Sequence, residues 1–169
     1  MKKILNKTFN EKELLKLNNV YIKNQPFQHI VIDNFICDEI LDQALMRMNQ
    51  INYFEKNKHF DPHQKRKKIL TKEEELPHEF IELIRFFNSQ IFLNFLQKLT
   101  VIKEKLISDP YLWGGGLHAI GKGGFLKIHS DTNFHPNFKL DRRLNLLIYL
   151  NKNWKEEYGG NLELWNKDM

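Results

Sequence analysis

The sequence predicts an α+β fold in which helices support one face of a β-sandwich. Three observations predict it. Apolar residues recur at helical spacing through the first half of the 169-residue chain, and after Asp109-Pro110 the period changes towards two. Aromatic residues are plentiful, with thirteen Phe and five Tyr, as expected where rings pack between sheets. Helices followed by a run of strands is the order of an α+β domain, and this length holds one domain at most, large enough for a core.

Residues 1–25 read as an extension, with a weak helical pattern over 11–17 carried by Leu14, Leu15 and Leu17. Residues 26–35 (Pro-Phe-Gln-His-Ile-Val-Ile-Asp-Asn-Phe) are β-branched and partly alternating, which predicts a strand. Asp38 is placed to cap a helix whose stripe is Leu41, Leu45 and Met48. Residues 53–76 are polar and broken and predict a surface loop or a short hairpin. From 77 to 99 the spacing of Ile81, Ile84, Phe87, Ile91, Phe92, Phe95, Leu96 and Leu99 predicts one long helix, with Pro77 near its first turn. Residues 111–120, 124–131, 144–150 and 161–165 then read as strands, separated by glycine- and asparagine-rich turns.

Composition narrows the class. The net charge is +5 and the pI about 9.2, but Lys and Asn are abundant throughout, so the charge carries little functional weight. Lys65-Arg66-Lys67-Lys68 has no interleaved aromatics and is followed by Glu73-Glu74-Glu75, which disfavours a nucleic-acid patch and favours a solvated loop. With Cys37 alone, no disulfide forms within the chain, and a reducing, cytoplasmic setting is expected. Cys37 reads as a small buried hydrophobe. The N-terminus lacks a continuous apolar segment, and no window is apolar enough to cross a membrane.

The chemistry is concentrated in residues 114–131, which end in His129-Ser130-Asp131. At the end of a strand, residues two apart point to one face, so an imidazole and a carboxylate are aimed at one point. These are two members of the two-His-one-carboxylate set that holds non-haem iron with positions left open. The bland alternative is a buried His paired with Asp. Gly116 through Lys122 imitates a phosphate-binding loop, but Gly123 stands where Ser or Thr is required and no helix is predicted to follow.

Four blocks carry a resemblance: Gly115-Gly116-Leu117-His118 with Gly123-Gly124-Phe125-Leu126, then His129-Ser130-Asp131, then residues 142–151 (Arg-Arg-Leu-Asn-Leu-Leu-Ile-Tyr-Leu-Asn), then residues 158–165 (Tyr-Gly-Gly-Asn-Leu-Glu-Leu-Trp). Together they resemble the iron(II)/2-oxoglutarate-dependent dioxygenases, in the prolyl 4-hydroxylase-like branch. The resemblance spans residues 26–169, with 26–35 similar to the family's opening strand.

The resemblance implies a double-stranded β-helix, or jelly roll, with supporting N-terminal helices. It implies His129 and Asp131 as metal ligands and catalytic residues, with Fe(II), 2-oxoglutarate as cosubstrate and ascorbate to keep the iron reduced. Asn145 and Tyr149 alternate on one strand with Leu147 and are candidate 2-oxoglutarate neighbours, or core polar residues. His118 is a candidate for the same pocket from the neighbouring strand. His118 and His135 compete as a stand-in third ligand, though a lone His is more often packed or exposed. For Arg142-Arg143 a surface charge pair is favoured for at least one. Trp154, Tyr158 and Trp165 read as packing. The family's distal His and its basic 2-oxoglutarate anchor have no counterparts after Trp165, and the final strands are missing, so the resemblance implies a C-terminally truncated domain.

Three functions follow as expectations. The first is hydroxylation of an unactivated C–H bond, on a prolyl or related protein side chain. The second is a non-catalytic jelly-roll module for binding or assembly. The third is a sugar- or small-molecule-directed oxygenase of the same class. The partner expected is a protein or peptide, with a small molecule as alternative, no membrane, and dimerisation through exposed strand edges.

Overall fold

The computed structural model describes residues 4–48 and 62–166. The elements in order are α1 (Glu11–Lys23), α2 (Asp38–Met48), β1 (Gln64–Leu70), α3 (His78–Phe87), α4 (Gln90–Thr100), β2 (Leu117–Leu126), β3 (Phe134–His135) and β4 (Leu140–Asp141). Short 3-10 turns occupy Glu73–Glu75 and Glu156–Tyr158. β1 pairs with β2 and β3 with β4, both antiparallel, so the described residues mix helices with two small sheets, compatible with α+β. The chain divides into two compact units. One is Met1–Gln43 with Glu82–Pro110 and Leu162–Met169; the other is Ala44–Ile81 with Tyr111–Asn161.

In the first unit, α1 starts at a reciprocal cap. The Asn10 side chain accepts from the Glu13 amide and the Glu13 carboxylate accepts from the Asn10 amide, each at 2.9 Å. The buried Asn18 amide donates to the Leu99 carbonyl at 2.7 Å, tying α1 to α4. Phe92 is the most deeply buried large side chain, ringed by Phe35, Phe86, Phe87 and Phe95, with the Phe87 ring edge-on at 4.8 Å.

The single helix expected over 77–99 is two helices. The break falls at Asn88-Ser89, where the Asn88 side chain turns back to the Ile84 carbonyl and the Ser89 hydroxyl faces the Phe92 amide at 3.4 Å as the cap of α4. Short polar side chains compete with the helix ladder in this way, and apolar periodicity does not register it.

The strand expected over 26–35 is not formed. A turn at Asp33-Asn34, with Asn34 at φ 54°, ends the extended run, and Ile36 alone makes a bridge, to Leu5. Asp38 is the first residue of α2, one place inside the expected cap, and the Cys37 carbonyl accepts from Ile40 and Leu41. Cys37 itself is half-buried.

The second unit is built on β1 and β2. Of the expected loop over 53–76, residues 53–61 lie outside those described, and 64–70 form a strand. Leu70 and Leu117 face each other across the ladder on its buried side. Opposite Arg66 the β2 chain bulges through Gly121-Lys122-Gly123-Gly124, because the register passes from Lys65↔Phe125 to Lys67↔Ile120. Arg66 pins the bulge by donating to the Lys122 carbonyl at 2.8 Å. A Cβ on Gly124 would lie 2.6 Å from the Lys65 carbonyl oxygen, so only glycine fits there.

In place of the two strands expected over 111–120 and 124–131 there is one bulged strand, Leu117–Leu126; residues 111–116 are turns, and His129 and Asp131 lie beyond its end. Residues 144–150 and 161–165 are irregular, since among the described residues no strand pairs with them. β-propensity identifies residues suited to a sheet, but the ladder itself needs a partner.

Candidate functional site

Past β2, the Lys127 amide donates to the His63 carbonyl at 2.8 Å, which carries the chain on from the sheet into the His129–Asp131 segment. His129 Nδ1 lies 2.7 Å from the Lys127 carbonyl, so Nδ1 carries a proton and donates it. This leaves Nε2 as the outward nitrogen, and it lies 3.1 Å from Asp131 Oδ1. A neutral ring in this tautomer sets two lone pairs against each other. A second ring proton or a shared cation resolves that conflict. Metal-bound histidines commonly donate their other ring N–H to a backbone carbonyl in this manner. Both side chains are half exposed, His129 at 41% and Asp131 at 50%, so the pair is open to a ligand.

The β3–β4 hairpin brings the chain back to Asp131. The Arg142 amide donates to the Asn133 carbonyl at 2.7 Å, extending the hairpin by one rung. Arg142 then reaches two ways. Its Nη2 donates to the Trp113 carbonyl at 2.5 Å, and its Nη1 lies 3.9 Å from Asp131 Oδ2. Gly114 leaves room for it: φ is +69°, and a Cβ there would lie 2.7 Å from Arg142 Nη2. The Asn145 amide donates to the same Asp131 Oδ2. One carboxylate oxygen thus faces His129 and the other is held by Asn145 and Arg142.

The other expected site residues are distributed as follows. His118 lies on β2 opposite Ile69 and interacts electrostatically with both Asp131 and Lys67. Burial and the Lys67 charge lower its pKa, against a hydrogen bond at Gly115 and the pull of Asp131. His118 is therefore neutral at neutral pH. Tyr149 is 62% exposed, and the partial burial of its phenol raises its pKa. His135 stacks on Phe138 at 4.5 Å, with Trp113 at 5.6 Å, and its Nδ1 accepts from the Phe138 amide at 3.3 Å. It is a packed residue of the hairpin. Trp154 donates to the Gly159 carbonyl at 2.8 Å and meets Tyr158 edge-on, a local packing pair.

Two residues near the site have no site role in the sequence reading. Arg142 was half-covered by the surface-pair expectation for Arg142-Arg143; the signal that separates it from Arg143 is its place at the foot of the hairpin, opposite a positive-φ glycine. Lys67 lies on β1 with its pKa lowered chiefly by burial and partly restored by Asp131. The pairing of β1 with β2 was the missing information there.

The chemistry of the donors suits a divalent metal: an imidazole nitrogen and a carboxylate oxygen converge, each held by a neighbour. The number is incomplete. Among the described residues no group of three or more His, Cys, Asp and Glu is placed to hold a metal.

Residues 115–169 match a family described as the 2OG-Fe(II) oxygenase superfamily. The segment contains His118, His129, Asp131, Arg142, Asn145 and Tyr149. The match supports the superfamily, and with it Fe(II), 2-oxoglutarate and dioxygenase chemistry in general. No curated protein and no solved structure matches the chain. Among the described residues no helix is long and apolar enough to cross a membrane.

Proposed function

We propose that the protein is an iron(II)- and 2-oxoglutarate-dependent dioxygenase that hydroxylates an unactivated C–H bond. The observation that carries this reading is the His129–Asp131 pair, with Nε2 and Oδ1 3.1 Å apart inside the segment that matches the superfamily. His129 and Asp131 hold the metal. Iron bound there would supply the coupling of 2-oxoglutarate and oxygen to succinate, carbon dioxide and a hydroxylated product. The chain's part is orientation. The Lys127 carbonyl fixes the His129 tautomer, and Asn145 and Arg142 fix the Asp131 carboxylate.

Finer parts of the reading rest on the family resemblance. They are a prolyl or related protein side chain as substrate, ascorbate as reductant, and a jelly roll as the complete architecture. A reducing, cytoplasmic setting is supported by Cys37 being the sole cysteine.

The test is succinate formation from 2-oxoglutarate with Fe(II) and oxygen. Turnover that needs iron and disappears in both His129→Ala and Asp131→Ala supports the proposal. Turnover unchanged in either variant would sink the ligand assignment.

A second reading is a non-catalytic module for binding or assembly. It is favoured by one observation: among the described residues the pair has no third donor. The same assay separates the two, because a binding module makes no succinate.

A further inference from the structure

The whole of the net charge of +5 lies in the second unit, which carries 15 Lys and Arg against 10 Asp and Glu, while the first carries 11 of each. Within the second unit the cations concentrate on the β1–β2 ladder. Lys65, Arg66, Lys67 and Lys68 are consecutive on β1, and Lys122 stands on the bulge opposite them, its carbonyl held by Arg66. Among the described residues none of these five forms an ion pair with a carboxylate. Like charges drawn this close repel one another, and an anion from outside relieves the repulsion.

The basic run by itself has no interleaved apolar surface, and pairing supplies it. Phe125 faces Lys65 and Ile120 faces Lys67, with Ile69 two places along β1 from Lys67. Residues opposite each other and residues two apart on a strand share a face, so Lys67, Ile69 and Ile120 lie together on the side away from buried Leu70 and Leu117. Ile69, Ile120 and Phe125 are 40–47% exposed. Cations beside exposed apolar and aromatic side chains suit a polymer with a negative charge and a flat ring in every unit. A single-stranded nucleic acid is such a polymer: its phosphates follow basic side chains and its bases stack on aromatic ones. A duplex offers phosphates but hides the faces of its bases, and an acidic peptide offers charge without the rings.

We infer that the outer face of the β1–β2 ladder is a binding surface for single-stranded nucleic acid, with phosphates on Lys65, Lys67 and Lys122 and a base on Phe125. The surface exists only once β1 and β2 pair, and it is independent of the iron reading.

The experiment follows the fluorescence anisotropy of labelled oligo(dT) and oligo(U) on the full chain without metal. Wild type is compared with a Lys65→Ala, Lys122→Ala double variant and with Phe125→Leu. An unlabelled duplex and poly-glutamate serve as competitors. Affinity for a single strand falls with salt by about 0.7 in log K per log salt for each phosphate engaged. The expected result is binding of one or both oligonucleotides, the tighter one naming the natural polymer, with duplex and poly-glutamate competing poorly. The double lysine variant should lose about 1.4 of the salt slope, and Phe125→Leu about tenfold in affinity at unchanged slope. No binding of either oligonucleotide overturns the assignment. So does equal competition by the duplex or by poly-glutamate, which would point to a general polyanion or an acidic protein. Slope and affinity unchanged in both variants would place binding elsewhere and overturn it too. All three side chains are exposed, so the variants should melt with wild type. The wild-type salt slope and the competitors test the assignment without them.

Discussion

The Asp131 carboxylate faces His129 Nε2 at 3.1 Å with one oxygen and is held through the other by Asn145 and by Arg142 at 3.9 Å. A carboxylate held this way is preset for a cation, and outer residues that preset a ligand are worth about 10–100-fold in metal affinity. Arg142→Ala is therefore expected to weaken Mn(II) binding by about tenfold while leaving the melting temperature within a few degrees, because a partly exposed ion pair contributes little to stability, about 0–1 kcal/mol. Unchanged Mn(II) affinity would leave Arg142 as a brace for the Trp113 turn only.

Lys67 gives a prediction of opposite sign. Burial lowers its folded pKa below that of the unfolded chain. Below the folded pKa both states hold the proton, so at neutral pH the cost of the buried charge is fully present, and it is relieved as pH rises through the folded pKa towards 10.5. Lys67→Met should raise the melting temperature at neutral pH, and the gain should shrink in alkaline buffer. A lower melting temperature at neutral pH would mean that the lysine stabilises the fold.

At the scale of elements, the device that sets the site is the bulge in β2. Gly121 to Gly124 stand opposite Arg66, and the strand resumes at Phe125 only two residues before Lys127, whose carbonyl accepts the hydrogen bond from His129 Nδ1. Gly124→Ala puts a methyl 2.6 Å from the Lys65 carbonyl oxygen. Overpacking of this kind costs about 1–3 kcal/mol. It should also displace the strand end, so Mn(II) affinity should fall together with the melting temperature. A stable variant with normal affinity would show that the bulge does not aim His129.

Legibility from sequence follows the range of the interactions. The amphipathic stripes of residues 38–48 and 77–99 were readable, because helices are specified by neighbours along the chain. The break at Asn88-Ser89 was not, since it depends on two side chains bonding to the backbone. His129 and Asp131 do meet, but past the end of β2, so the strand alternation from which their shared direction was expected is not what brings them together. Arg142 and Lys67 were not assigned to the site, because each arrives through pairing between distant segments: the β3–β4 hairpin for one and the β1–β2 ladder for the other. Residues 26–35, 144–150 and 161–165 have strand composition without a ladder partner among the described residues. Composition reports suitability for a sheet, and pairing is decided elsewhere.

At the scale of the molecule, strand-like segments that find no strand partner among the described residues have a consequence for association. Leu146, Leu147, Ile148 and Tyr149 are exposed, at 36–62%. Such a run presents apolar side chains and, among the described residues, no ladder to a neighbouring strand, the features through which chains pair with one another. The chain on its own is expected to self-associate, with sedimentation showing a dimer or larger species that dissociates on dilution. Replacing Leu146 and Ile148 with Lys should restore the monomer. A monodisperse wild-type monomer with a cooperative melt would contradict this.

The central claim is that His129 and Asp131 hold iron that 2-oxoglutarate can chelate. The most direct test needs no substrate: Fe(II) and 2-oxoglutarate are added under argon and the visible charge-transfer absorption of an Fe(II)–oxo acid chelate is followed. The account predicts a band on the wild-type protein that is absent in His129→Ala and in Asp131→Ala. No band on the wild type, or a band that persists in both variants, would contradict it.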